Sequence, residues 1–275
     1  MSYRKSHVKN KIHKIKPKKS ILKRLWFWLL ILFFIVVFSA LYFLLFYPGI
    51  QIKNVVVSGN NEIKAQDLQD IILNNSNTGL VKFWNVNLTS KSIFLADTSK
   101  LEKEILEKFP IIEKVSVNKQ FPQTITLGIA ERKPIGVYCS QTQQCFLIDE
   151  NGVIYEPLNA PPADYIVVQQ ALENNNVFAG QNIVEQNIIA GISEIQKDLK
   201  NNFQINVKGA LIASPLRLNI TTDGGWQIYF NLSGDPDINS QITKLNLLLN
   251  GDVNANARKT LQYIDVRFKD MASYK

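Results

Sequence analysis

Histidine and cysteine are almost absent from this 275-residue chain, with two of each. Both histidines, His7 and His13, fall within the first 25 residues. The rest of the chain therefore has no imidazole for Ser-His-Asp or Cys-His catalysis and lacks the commonest zinc ligand. Two cysteines are too few for a tetrahedral thiolate site. There is no glycine-rich phosphate loop, because Asp223-Gly224-Gly225 reads as a hairpin turn between strands. Acid is missing from one region only: ten Lys or Arg residues precede Trp26 with no Asp or Glu among them, which leaves 21 basic against 23 acidic residues from there on. The formal charge of +8 thus belongs to a tail and is no signal for nucleic-acid binding by the remainder.

What is abundant is apolar residues, 46% of the chain, enough for a sizeable core. Trp26 to Tyr47 runs for 22 residues without a charge, a length that crosses a bilayer core as a helix of about 33 Å. Trp26 and Trp28 at one end, with Tyr42 and Tyr47 near the other, suit the two headgroup zones. The basic residues Arg4 to Arg24 put the N-terminus in the cytoplasm by the positive-inside rule and the C-terminal part outside. The run is longer than a signal-peptide core and leads into Tyr47, Pro48 and Gly49 rather than an A-x-A-like site, which favours a retained anchor.

Beyond the anchor, Ile52 to Ser58 reads as a strand ended by Gly59 and Asn60. Ile63, Leu68, Ile71 and Ile72 share one face of a helix over 62–73. Residues 74–96 show no clear period and read as a loop with short structured pieces. Thr98 or Ser99 can cap a helix over 100–108 that Pro110 stops. Strands at 115–119 and 124–130 follow, and Pro134 closes the unit. The order strand, helix, helix, strand, strand predicts a small α+β domain with both helices on one face of a three-stranded sheet. After Pro134 strands are expected at 135–139, 145–148, 153–155 and 165–169, then a helix at 185–199. Further strands are expected at 203–212, 216–221 and 226–232, a helix at 238–249 capped by Asp237, and a last strand from Gln262 toward Ser273.

Cys139 and Cys145 flank SQTQQ, a hairpin loop, and outside the cytosol a disulfide would close it; in a reducing setting they would be free thiols. Glu131, Asp149 and Asp265 sit at strand ends and are the carboxylates available to a wall-cleaving enzyme, although the sequence does not show that any two converge. Glu131 and Arg132 fall at the junction between the two domains, as a buried pair setting their angle or as a solvated one. Asp149, Asn151 and Gly152 read as a hairpin turn.

Four stretches in order resemble the bacterial cell-division family FtsQ, called DivIB in Gram-positive bacteria. They are IKNVVVSGNNEI from Ile52, FPIIEKVSVNKQFPQTITLGIAERKPIG from Phe109, FLIDENGVIYEP from Phe146 and YIDVRFKD from Tyr263. The resemblance implies a basic tail at 1–25, a membrane helix at 26–47, a POTRA domain at 51–133 and a β-rich domain with two helices at 134–275. It implies a non-enzymatic divisome scaffold without cofactor, metal, nucleic acid or small-molecule substrate, which binds partners of the FtsB and FtsL type through its terminal strand; the alternatives are a membrane-anchored cell-wall enzyme using carboxylates and a POTRA-type assembly factor. The residues matching that strand are Arg267, Phe268, Lys269, Asp270, Met271, Ala272, Ser273 and Tyr274, with Arg267 and Phe268 as electrostatic and apolar anchors; the alternative is an ordinary edge blunted by Lys269 and Lys275. Phe268 stands where the family's DLRY-like motif has Tyr, and the chain is expected to carry no longer tail after Tyr274.

Overall fold

In a computed structural model, residues 24–76, 78–83, 86–171 and 177–275 are described. The basic tail therefore lies outside the described residues, apart from Arg24. The chain forms two compact units. The first comprises residues 1–53, 76–96 and 121–124, and the second holds 54–75, 97–120 and 125–275.

In the first unit α1 (Leu25–Phe46) is apolar on every side and buries none of its residues in the protein. It is the one helix among the described residues long and apolar enough to cross a membrane. The stretch expected to be mostly loop contains a hairpin, β2 (Thr78–Phe83) with β3 (Val86–Ser90). Its strands are short and it has a register shift between Gly79 and Val81, so no sustained alternation marks it in the sequence.

The second unit begins with β1 (Asn54–Ser58), α2 (Ala65–Asn75), α3 (Thr98–Lys108), β4 (Ile112–Gln120) and β5 (Thr124–Glu131), the strands lying in the order β1-β5-β4. Ile125, Leu127 and Ile129 alternate as buried residues along β5. Leu68, Ile71 and Ile72 of α2 and Leu101 and Ile105 of α3 supply the helical half of the apolar layer. The α3 cap is Asp97, one residue before the expected Thr98: its carboxylate accepts from the N–H of Lys100 at 3.1 Å. Gly59, at φ +81°, is required where β1 ends, since a Cβ there would lie 2.1 Å from the carbonyl oxygen of Ile129.

A mixed nine-stranded sheet follows. Its strands are β6 (Gly136–Cys139), β7 (Cys145–Ile148), β8 (Ile154–Leu158), β9 (Val167–Gln170), β10 (Val207–Ser214), β11 (Arg217–Thr222), β12 (Gln227–Asn231), β13 (Tyr263–Asp265) and β14 (Ser273–Tyr274). They are ordered β14-β13-β12-β11-β10-β9-β6-β7-β8. Parallel neighbours need a crossover: α4 (Gln186–Phe203) provides it between β9 and β10 and α5 (Ile238–Asn250) between β12 and β13, while β6 and β9 are joined through β7 and β8. Ile189, Ile192, Ile195 and Leu199 of α4 join Ile242, Leu245 and Leu249 of α5 in one core with Tyr138, Leu218, Ile220, Ile228 and Phe230 of the sheet. Asp237 caps α5 as expected, accepting from Ser240 N–H at 2.6 Å. The last strand does not run unbroken from Gln262 toward Ser273. It stops at Asp265, and the chain turns back so that β14 pairs antiparallel with β13.

Candidate partner-binding edge

The end of the sheet is built by side chains that stop β13 and hold the turn after it. Val266 is fully buried and donates its N–H to Tyr229 O at 3.1 Å. Asp265 then takes both arms of Arg267, Nε at 2.9 Å and Nη2 at 2.6 Å, as well as the Arg267 backbone N–H at 3.1 Å. Burial acts to raise the Asp265 pKa, but these bonds and the guanidinium charge outweigh it and hold the carboxyl below its usual range. A carboxylate two residues before its arginine thus bends the chain off the strand. The Arg267 guanidinium also lies 5.7 Å from the centre of the Tyr229 ring and 5.6 Å from that of Phe268. Its guanidinium, still partly exposed, thus also shapes the edge from within the fold.

From α5, Lys244 Nζ donates to the carbonyl of Val266 at 2.9 Å, to that of Phe268, and to that of Lys269 at 3.4 Å. This clamp has no signature in the sequence, where Lys244 is one more polar residue on an amphipathic helix. Burial pulls the Lys244 pKa below its usual value, against the opposing charges of Asp270 and Asp265. Gln241, fully buried one turn earlier, bonds both the N–H and the C=O of Asn231 and so fixes α5 to the end of β12.

Beyond the turn, Lys275 N–H donates to Tyr263 O at 3.1 Å and Lys275 O accepts from Tyr263 N–H at 3.3 Å. Tyr263 and Lys275 are thus a hydrogen-bonded pair, so the next pair, Ile264 with Tyr274, is a non-hydrogen-bonded one. The N–H and C=O of Tyr274 consequently point to the open side of β14. Phe268, Met271 and Tyr274 are each about half exposed or more. Lys269 and Asp270 are exposed, Ser273 is exposed and Ala272 half-buried. The expected residues do lie together at one end of the sheet, but as a turn and a two-residue strand.

The other candidates serve the scaffold. Glu131 accepts from the N–H groups of Asn61, Glu62 and Ile63 at 2.9–3.1 Å. Burial is the largest single influence and acts to raise the Glu131 pKa, but the three backbone bonds together outweigh it and lower it. Arg132 pairs with Asp149 at 2.6 Å, not with Glu131, and donates to Pro110 O at 2.9 Å. Asp149 also accepts from Asn151 and Val153 N–H in the expected hairpin turn. Glu131, Asp149 and Asp265 are thus each engaged in bonds of the scaffold, with different partners, although Glu131 and Asp149 line one cavity together. Cys139 and Cys145 face each other across β6 and β7 and are joined by a disulfide. Among the described residues no group of three or more His, Cys, Asp and Glu side chains gathers as a metal site would.

The sequence matches two family models in succession. Residues 84–132 match the FtsQ-type POTRA domain, and residues 137–267 match the C-terminal domain of cell division protein FtsQ/DivIB. The chain belongs to the FtsQ/DivIB family of cell-division proteins. It is 26% identical over 236 residues to the cell division protein DivIB of Clostridium acetobutylicum, covering 82% of this chain and 83% of that one. It is 25% identical over 138 residues to the cell division protein FtsQ of Rickettsia felis, covering 50% of this chain and 45% of that one. The fold is accordingly an N-terminal apolar helix followed by a POTRA domain and a β-rich domain.

Proposed function

We propose that this protein is a non-enzymatic scaffold of the division machinery, which recruits and regulates septal cell-wall synthesis proteins by accepting a strand from a partner of the FtsB type, in complex with one of the FtsL type. The observation that carries the reading is the terminal edge of the nine-stranded sheet. There Tyr274 turns unpaired backbone groups outward, and Phe268 and Met271 stand exposed in the turn before it. Main-chain bonds to such an edge supply affinity, and the alternating side chains supply choice of partner. Within the Arg267 to Tyr274 stretch, Phe268, Met271 and Tyr274 are the apolar contacts and Arg267 holds their geometry through Asp265. The non-enzymatic reading is supported by the commitment of Glu131, Asp149 and Asp265 to scaffold bonds.

The anchor is taken to cross the cell membrane once, with the basic tail in the cytoplasm and the β-rich domain outside, at the septum. The bias of ten basic residues before Trp26 supports that orientation. A POTRA domain at 51–133 and a β-rich domain at 134–275 belong to the same reading, and matched regions that end at 132 and resume at 137 support the boundary between them.

The test is a pull-down of the organism's own FtsB-type and FtsL-type proteins by the full chain in detergent, against Phe268→Asp. Capture by the wild type and loss in the variant is expected. Equal capture by both would move the interface elsewhere, and capture by neither would refute the scaffold reading.

A further inference from the structure

The last turn of α1 is closed by side chains that come from the folded part of its own unit. Its final four carbonyls have no helical successors to pair with, and such groups are costly to leave unmet where lipid replaces water. Each has a partner. Phe43 O accepts from Tyr47 N–H at 3.0 Å, Leu44 O from the Ser92 hydroxyl at 2.9 Å, Leu45 O from the Ser90 hydroxyl, and Phe46 O from the Gln51 amide at 3.3 Å. Ser90 and Ser92 are buried. The segment that follows β3 is therefore fastened to the end of α1 itself, with no spacer between them. Ile93 N–H adds a bond to Ile50 O at 3.0 Å, and the Gln123 amide donates to Pro48 O at 3.2 Å, which brings the β4–β5 turn to the same place.

Two exposed phenylalanines sit on this collar. Phe94 and Phe121 pack against each other with tilted rings whose centres are 5.1 Å apart, yet remain 46% and 57% exposed. Residues 48–53, 76–96 and 121–124 contain no acid at all, but include Lys53, Lys82 and Lys91. The distances settle where this surface must lie if α1 spans a bilayer. Twenty-two helical residues use up the hydrocarbon core, and each headgroup layer beyond it is only about 5–7 Å thick. Ser92 touches the last turn, and Phe94 lies two residues further, at most about 7 Å of chain away. The rings are therefore held close to the headgroup layer.

We propose that the collar carrying Phe94 and Phe121 is a lipid-binding surface, seated in the headgroup layer at the C-terminal end of α1. Apolar rings with basic residues and no acid are the composition that an anionic, half-apolar interface selects. The consequence is that the folded unit is held against the membrane rather than carried on a free tether. The proposal rests on α1 crossing the bilayer.

The test uses the full chain in vesicles of phosphatidylcholine and phosphatidylglycerol, with a nitroxide attached singly at Phe94→Cys, Phe121→Cys, Phe34→Cys within α1, and Leu247→Cys on exposed α5; the native cysteines are paired and do not react. Collision with oxygen, which concentrates in lipid, is compared with collision with a water-soluble nickel chelate. The oxygen-to-nickel ratio at 94 and 121 is expected to be several-fold above that at 247 and below that at 34. Ratios at 94 and 121 equal to that at 247, with 34 deep in lipid, overturn the collar while leaving the anchor standing. Loss of both collisions at 94 and 121 means that a second copy of the chain covers the rings, and also overturns it. A water-like ratio at 34 overturns the anchor and the collar together.

Discussion

Replacing Arg132 by alanine tests how the three-stranded sheet is fixed to the nine-stranded one. Arg132 ends the β5 strand and reaches in two directions, to Pro110 O at 2.9 Å and to Asp149 at 2.6 Å, with its own N–H on Ile111 O at 2.8 Å. The pair is buried, with side-chain exposures of 14% for Arg132 and 3% for Asp149. Breaking a buried pair by removing one partner leaves a carboxylate in a poor medium, a loss of about 3–5 kcal/mol. Asp149 keeps two N–H donors in Arg132→Ala, so the low end applies, about 3 kcal/mol. For a unit of this size that lowers Tm by about 6–12 °C. Thermal unfolding of the full chain in detergent, followed by circular dichroism in the far and near ultraviolet, measures it. The double variant Arg132→Ala/Asp149→Ala should lose less than the two single losses added together, because it leaves no charge unpaired. A drop of less than about 2 °C for Arg132→Ala would refute the reasoning, since a solvated pair contributes about 0–1 kcal/mol.

Glu131→Gln should cost about 1 kcal/mol at neutral pH, because a charged acceptor of three backbone N–H groups becomes a neutral one. The folded pKa of Glu131 lies below its ordinary value of 4.5, so the wild-type advantage is fully present above that value and disappears as pH falls through the lowered one. Urea titrations of both proteins from neutral pH into the acid range should converge at the acid end; a constant gap would show that the charge is irrelevant. Lys244→Met keeps the aliphatic packing of α5 but releases the carbonyls of Val266, Phe268 and Lys269. Amide hydrogen exchange at Ser273 and Lys275, the two β14 amides that face β13, should accelerate about tenfold or more, as loss of one charged clamp of about 1.5 kcal/mol predicts, and unchanged protection there would mean that β14 is held by other contacts.

Much of this protein was legible before any coordinates. The charge-free run around α1, the alternation in β5, the helical spacing of Ile189, Ile192, Ile195 and Leu199, and the turn residues Gly59, Gly152 and Asp237 are local signals, each set by chain geometry within a few residues. They led to the α+β class, the order of elements and the place of the candidate edge. The hairpin over 78–90 was hidden because its strands are short and its register shifts. The sequence offered Glu131 as the partner of Arg132, in a buried or a solvated pair, and did not point to Asp149, because neighbours in sequence at a strand end point to opposite faces and only folding brings Asp149 near. The fate of the last strand was decided in the same way. Asp265 and Arg267 are a common sequence pattern, but it is the burial of Asp265 beside Tyr229, with Lys244 arriving from α5, that makes them bend the chain and lay Ser273 and Tyr274 back on β13. Sequence alone was enough for most of the elements, for the long apolar helix and for the family, since those rest on local periodicity and composition. The tertiary structure alone decided which backbone edge is left open and what seats the collar against α1, since both depend on side chains tens of residues apart meeting in space.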